Sequence, residues 1–421
     1  MAKNISLQWI IGFSFTALHY LSNYLLIIFS FPFLLPTIGI KNFGSFSFIF
    51  TLVNLLLIFV DYGLNTSSIK AVSTQTSTVH VNSVISKVYI IKSTLYFFCL
   101  VTTIFVTSIS DSKLDLFGVY SGFFYLFGII NSPLWFFQAV QDLREITVIN
   151  LLLKLTAIFF AVKVIAVVQN YYPFFLIIGV ANIIVSLYSY YLLKTKFNFY
   201  FILPALQDIY FSLKSDFPTF LSNILGTIFL SANVFTLKFI ISETELGLYS
   251  VSERVMYALW QILSVYSASI YPYLCVYFQY SNKSSSLRYS IHKTFPLFFG
   301  LIVLIAIVVS IFSDDIIRVI TQSLHNGNIT NSSNILRIML ISFTFAASNI
   351  IAHQALLATG HFKIVWLIFF FITILHFSLS YTMSLYWGGL GASVSFMISL
   401  FILSIILNLV AIKKVYGEFK L

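Results

Sequence analysis

The chain has 421 residues, 59% of them hydrophobic and only 9% charged, with a mean hydropathy of +0.96. A soluble protein of this length needs far more charge to cover its surface, so the composition excludes one. The formal net charge of +10 does not point to nucleic acid either, because the basic residues are scattered between apolar runs rather than gathered with aromatics on one surface.

Apolar runs bounded by charged residues or by Gly, Pro and Asn predict an all-α polytopic membrane protein with about 12 transmembrane helices. In chain order the runs are 8–34, 43–63, 93–110, 116–138, 146–168, 172–193, 217–240, 246–278, 294–313, 334–357, 362–386 and 389–412, with a break expected near Pro272. The first run is too long for a signal-peptide core and has no small-residue cleavage site after it, so it reads as a retained span. Cys99 and Cys275 both lie inside apolar runs, as small core residues, and provide neither a disulfide framework nor a metal cluster.

The sequence is organised around Trp135–Phe160. There an apolar run ends at Trp135-Phe136-Phe137, a short charged turn follows, and the next run carries Lys154 among Leu, Ile and Phe. At about 1.5 Å of rise per residue, Lys154 sits well below the headgroups. An ammonium in hydrocarbon costs about 2.5–3.5 kcal/mol, so a partner or a wet cavity is expected for it.

Placing the N-terminus inside assigns 15 of the 23 Lys and Arg residues to cytoplasmic segments and only Lys41, Lys113 and Arg318 to the opposite loops. This bias predicts that both termini are cytoplasmic. An internal repeat accompanies it: Leu21–Phe29 reappears as Leu221–Phe229 with six identities in nine, and Phe43-Gly44-Ser45-Phe46-Ser47 returns as Leu246-Gly247-Leu248-Tyr249-Ser250. A repeat of six spans keeps one orientation in both halves. The expected domains are an N-terminal six-helix bundle (1–196), a cytoplasmic linker (197–216) and a C-terminal six-helix bundle (217–421). A pseudo-two-fold along the membrane normal should relate the bundles, with a central site between them.

Polar residues recur at helical spacing. Ser47, Thr51, Asn54, Asp61 and Asn65 mark one face of the second span, and Ser250, Arg254, Tyr257, Gln261 and Ser264 mark the eighth. Such stripes either line a hydrated interior or hydrogen-bond between packed helices. Arg254, Lys154, Lys238 and Arg337 are intramembrane cations suited to an anionic ligand, and Tyr257 and Gln261 share the Arg254 face. Snorkelling to headgroups is the competing explanation for Lys163, Lys238 and Arg337. Asp216, Glu253, Asp61 and His19 are the candidates for ion coupling, although Asp61 could simply cap a helix end. His353 and His376 read as satisfied bundle residues or as proton relays. No Walker A sequence and no long loop able to house a polymerase active site are present.

Pro133-Leu134-Trp135-Phe136-Phe137-Gln138 running into Asn150-Leu151-Leu152-Leu153-Lys154, Asp61-Tyr62-Gly63-Leu64, and Gly247-Leu248-Tyr249-Ser250 carry a resemblance. With twelve expected spans, the chain resembles the O-antigen and polysaccharide flippases (Wzx type) of the multidrug/oligosaccharidyl-lipid/polysaccharide exporter superfamily. The resemblance implies a two-bundle transporter without cofactor or metal. It would move an undecaprenyl-pyrophosphate-linked oligosaccharide across the bacterial inner membrane by alternating access, with ion coupling as an option. Its implied partners are the lipid-linked oligosaccharide, membrane lipids, and a polysaccharide polymerase and chain-length regulator. A basic lumen suits a pyrophosphate. The alternatives are a cation-coupled multidrug exporter of the same superfamily and a membrane-embedded glycan polymerase.

Overall fold

The structure, a computed structural model, describes residues 34–74, 77–109, 115–140, 142–279, 285–321 and 326–416. The expected first span (apart from Leu34), His19 and the Leu21–Phe29 half of the repeat lie outside the described residues, as does the side chain of Cys275.

The described residues form helices and no strand. In order they are α1 (Leu34–Asp61), α2 (Leu64–Thr74), α3 (Thr78–Ile109), α4 (Leu116–Ile130), α5 (Leu134–Ala139), α6 (Arg144–Val168) and α7 (Tyr172–Phe197). There follow α8 (Leu206–Ile240), α9 (Glu243–Gln279), α10 (Ser285–Ile311), α11 (Ser313–Thr321), α12 (Asn326–Ser348), α13 (Ile350–Ala358) and α14 (Phe362–Ala411). A short π-helical turn, Ile412–Tyr416, extends α14. Among the described residues, 7 helices are long and apolar enough to cross a membrane, or up to 8 if α10 and α11, bent by 64°, make one broken span. This is a multi-pass membrane protein.

Several elements differ from the apolar runs, each for a local reason. The run 116–138 is broken into α4 and α5 at Pro133, whose ring removes a backbone donor and crowds the preceding turn. The run 334–357 is interrupted at Asn349, between α12 and α13. Helix α9 continues through the expected break at Pro272. The boundary expected between 386 and 389 falls at Gly388, where φ 54° and ψ −131° kink α14. That backbone region is open in practice to glycine alone. Helix α8 starts at Leu206, so residues 206–216 of the expected linker are helical.

The chain divides into two compact units, Met1–Ile224 and Leu225–Leu421. In the first, α7 packs against both α4 and α6. A Cβ on Gly128 of α4 would stand 2.8 Å from the Gly179 carbonyl oxygen and 2.8 Å from Cβ of Asn182 on α7. Glycine is therefore what lets these backbones approach, which matters where lipid tails offer no hydrophobic drive to bring helices together. At one end of the unit, Trp135, Phe136 and Phe137 of α5 are buried with Leu64, Val72, Ile85, Val88, Leu143, Ile146, Leu192 and Leu193. The aromatic triplet that ends the fourth run is thus the plug of a core cluster.

In the second unit, α12 packs against α9, α10 and α14, and α13 packs against α9 and α14. The Ser252 hydroxyl on α9 donates to the Ser332 carbonyl at 2.6 Å, and the Ser332 hydroxyl returns a bond to the Leu248 carbonyl at 3.1 Å. Reciprocal hydroxyl–backbone bonds of this kind join helices in an apolar medium.

Candidate functional site

In the first unit, α6 turns Ile146, Thr147, Asn150, Ala157, Ala161 and Ile165 inward. Lys154 lies four residues after Asn150 and three before Ala157, at the margin of that buried face, and is itself half-buried. Lys163, two turns later, is exposed, and its ammonium stands 5.8 Å from the Phe159 ring centroid. The two lysines of α6 therefore occupy different environments. Lys163 fits a lipid-facing cation–π contact, while Lys154 is turned toward the packed interior.

At one end of the same unit the structure gathers charges that sequence reading had kept apart. Lys92, expected in a cytoplasmic segment just before a span, is inside α3 and 5% exposed. Its Nζ is 2.7 Å from Asp61 Oδ1 and 2.7 Å from Asn65 Oδ1. Asp61 is thereby an ion-pair partner as well as a helix-end residue. Beside it, Tyr62 stacks on Phe220 of α8, with ring centroids 4.4 Å apart. Asp216 of α8 is buried and accepts from the Ser67 hydroxyl at 3.0 Å and the Ser212 hydroxyl at 3.4 Å through Oδ2, and from Ser215 at 3.3 Å through Oδ1. Burial pushes the Asp216 carboxyl above the ordinary aspartate value, with these hydroxyls and the charge of Lys87 pulling it back.

In the second unit, Glu253, Arg254 and Tyr257 follow one another on α9. The carboxyl of Glu253 is 4% exposed, and its Oε2 finds no hydrogen-bond partner among the described residues. The Arg254 guanidinium and the Glu253 carboxyl each feel the other's charge. The Tyr257 hydroxyl donates to the Leu230 carbonyl of α8 at 3.0 Å and stands beside Glu253, one turn earlier. The Gln261 amide turns back to the Tyr257 carbonyl at 3.3 Å. Along the expected face of α9, Ser250 is fully buried, Arg254, Tyr257 and Gln261 are half-buried, and Ser264 is exposed.

Next to this row lies a buried polar network absent from the sequence reading. Asn233 of α8 donates to the Tyr249 hydroxyl at 2.9 Å, and its Oδ1 accepts from Ser380 at 2.8 Å and from Ser395 at 3.5 Å. One amide therefore joins α8, α9 and both arms of α14. His376 is buried against Phe229 and Phe396, with Nδ1 3.1 Å from the Ser399 hydroxyl. Its Nε2 has no hydrogen-bond partner among the described residues. The signal in the sequence was the serine spacing at 380, 384, 395 and 399, which puts small polar groups on one face of each arm.

The remaining candidate cations sit in ion pairs. Lys238 Nζ is 2.9 Å from Glu243 Oε1 across the α8–α9 turn. Arg337 reaches Asp314 Oδ2 at 2.9 Å, Asn334 Oδ1 at 3.0 Å and the Ser310 carbonyl at 3.4 Å. Among the described residues no three His, Cys, Asp or Glu side chains converge as metal ligands.

Comparison with known proteins places this architecture. Two of the solved structures that share the fold illustrate it. An inward-facing multidrug resistance transporter of the MATE family and MOP superfamily matches with a TM-score of 0.75 at 12% identity, over 94% of this chain and 95% of that one. The lipid II flippase MurJ in an inward closed conformation matches with a TM-score of 0.74 at 14% identity, over 97% and 89%. Among curated proteins, one from Shigella dysenteriae described as an O-antigen transporter is 22% identical over 94% of this chain and 96% of its own length. One from Escherichia coli (strain K12), described likewise, is 25% identical over 60% of this chain and 61% of its own length. Residues 11–278 match the model of the family described as "Polysaccharide biosynthesis protein", and the chain, an all-α membrane protein that shares its fold with those solved structures, belongs to that family.

Proposed function

We propose that the protein is a flippase that moves an undecaprenyl-pyrophosphate-linked oligosaccharide, an O-antigen or capsule repeat unit, across the bacterial inner membrane. It works by alternating access, with both termini cytoplasmic. The observation that most supports this reading is Arg254, whose guanidinium Nε and Nη2 are buried on α9 beside Glu253 and Tyr257. A cation in such surroundings is costly to keep, and a guanidinium offers a planar fork to two phosphate oxygens. Lys154, on the inward side of α6, supplies a second cation for the headgroup pathway. In this reading Lys238 and Arg337 act through their ion pairs as positioning residues, and Asp216, Glu253 and Asp61 are the acids available for ion coupling.

A second reading is the cation-coupled multidrug exporter, which the fold accommodates equally, since the two solved relatives match almost alike. The Arg254 guanidinium favours the first, because a fixed cation attracts a pyrophosphate and repels a cationic cargo. The deciding experiment follows the fate of lipid-linked repeat units in a strain lacking the gene. Flippase loss leaves single units on the cytoplasmic leaflet. Single units accumulating on the outer leaflet would assign a polymerase instead. Normal surface polysaccharide with raised drug sensitivity would assign the exporter.

A further inference from the structure

Residues 198–217 connect α7 to the apolar part of α8, and their two sides differ sharply. One side is docked. Phe197, Phe199, Ile209 and Leu213 pack on the Trp135–Phe137 cluster. The Ile202 amide donates to the Ser86 hydroxyl at 3.0 Å, and Asn82 Nδ2 reaches the Asn198 carbonyl at 3.5 Å. Asp216 is held by the three serine hydroxyls described above. The segment is therefore fixed to the first unit along its length.

The other side is apolar and uncovered. Leu203 is 80% exposed, Leu206 84%, Tyr210 61% and Phe217 48%, with Tyr200, Phe201 and Phe211 also exposed. On α8, Leu206, Tyr210 and Phe217 stand at i, i+4 and i+11, one stripe along the helix, whereas Gln207, Asp208 and Ser215 turn to other sides. Seven large apolar side chains uncovered in a 20-residue connection would be an aggregation liability in water.

We propose that residues 200–217 are an interfacial anchor whose Leu206–Tyr210–Phe217 stripe lies in the headgroup region of an anionic lipid leaflet. The chemistry at its edges selects lipid over a protein partner. On α7, Leu187 and Tyr191 are likewise exposed in the last turns before Lys194. Exposed lysines, Lys194 on α7 and Lys214 beside the stripe on α8, border it, with Lys196 nearby in an exposed pair with Glu145. Tyr and Lys at the edge of an apolar surface are the groups that settle at a membrane–water boundary, and basic residues there are drawn to anionic headgroups. The anchor holds the start of α8 at the bilayer surface, on the helix that carries Asp216 at one end and Asn233 further along.

The test uses the full-length protein with Cys99 and Cys275 replaced by Ser, reconstituted in vesicles, with nitroxide labels at single cysteines. Labels at Leu206→Cys and Tyr210→Cys should be accessible to dissolved oxygen and shielded from a water-soluble nickel chelate. Labels at Asp208→Cys and Ser215→Cys should show the opposite. Moving from phosphatidylcholine alone to vesicles containing phosphatidylglycerol should raise the oxygen-to-nickel accessibility ratio at the stripe several-fold, and Lys194→Gln with Lys214→Gln should abolish that increase. Equal nickel accessibility at all four positions overturns the proposal in favour of a solvated linker. Shielding of the stripe from both reagents overturns it in favour of a covering protein or a second copy. Insertion that ignores lipid charge overturns the anionic-headgroup assignment.

Discussion

Lys92 Nζ lies 2.7 Å from Asp61 Oδ1, and the two side chains, 6% and 20% exposed, neutralise one another between α3 and the end of α1. A buried pair is a modest source of stability as a whole, but removing one partner strands the other charge. Lys92→Met should therefore destabilise the protein by about 3–5 kcal/mol, seen as a lower thermal midpoint in detergent and reduced membrane abundance. Adding Asp61→Leu to Lys92→Met should recover most of the loss. A single Lys92→Met variant as stable as the parent would mean that Asp61 finds its compensation elsewhere.

Asp216 gives a pH-dependent expectation. Burial raises its folded value above that of the unfolded chain, so folding favours the protonated acid. The stability this contributes is fully present below the unfolded value and is lost as pH rises through the folded one. Asp216→Asn stays neutral and keeps an oxygen to accept from Ser67. Its thermal midpoint should gain on that of the parent as pH rises from acid toward neutral. If Asp216 also carries a coupling proton, the same variant, though stable, should lose gradient-driven transport. A midpoint difference that is flat with pH would contradict the raised value.

Lys154 and Lys163, on one helix, provide an internal control. Lys154→Ala should lower surface polysaccharide while protein abundance is kept, because its ammonium borders the packed face of α6. Lys163→Ala should leave export unchanged, since its charge stands over Phe159 on the exposed side. Unchanged export by both variants would make Lys154, like Lys163, a snorkelling lysine with no part in transport.

Arg254 carries the sharpest expectation. Charge-assisted hydrogen bonds contribute about 1.5–3 kcal/mol each, so losing one should weaken headgroup binding about tenfold or more. Export should fall from wild type to Arg254→Lys, which keeps the charge but not the fork, and further to Arg254→Ala. If the guanidinium serves chiefly to neutralise Glu253, Arg254→Ala should instead lower abundance, and Glu253→Gln should restore it. Full export by a stably expressed Arg254→Ala variant would remove the binding role.

The class of the molecule is legible in residue order alone, because crossing a bilayer is a local requirement. Twenty or so apolar residues must follow one another whatever the rest of the chain does. For the same reason the kink at Gly388 falls within the expected gap between two runs, and Arg254, Tyr257 and Gln261 emerge as one face of α9 from spacing alone. Tertiary structure decided what each charge meets. The apolar run 93–110 begins just after Lys92, so Lys92 looked like the edge of a span. In the fold Asp61 cancels its charge, and α3 runs on past it. Lys238 and Arg337 resembled Arg254 in the sequence, yet Glu243 and Asp314 stand within 2.9 Å of them. Asn233 gave little sign among its apolar neighbours, and its role arises only when three other helical segments bring Tyr249, Ser380 and Ser395 to it. Hydropathy is a sum along the chain, whereas the neutralisation of a charge or the satisfaction of an amide depends on groups far away in sequence, and only folding places them within reach.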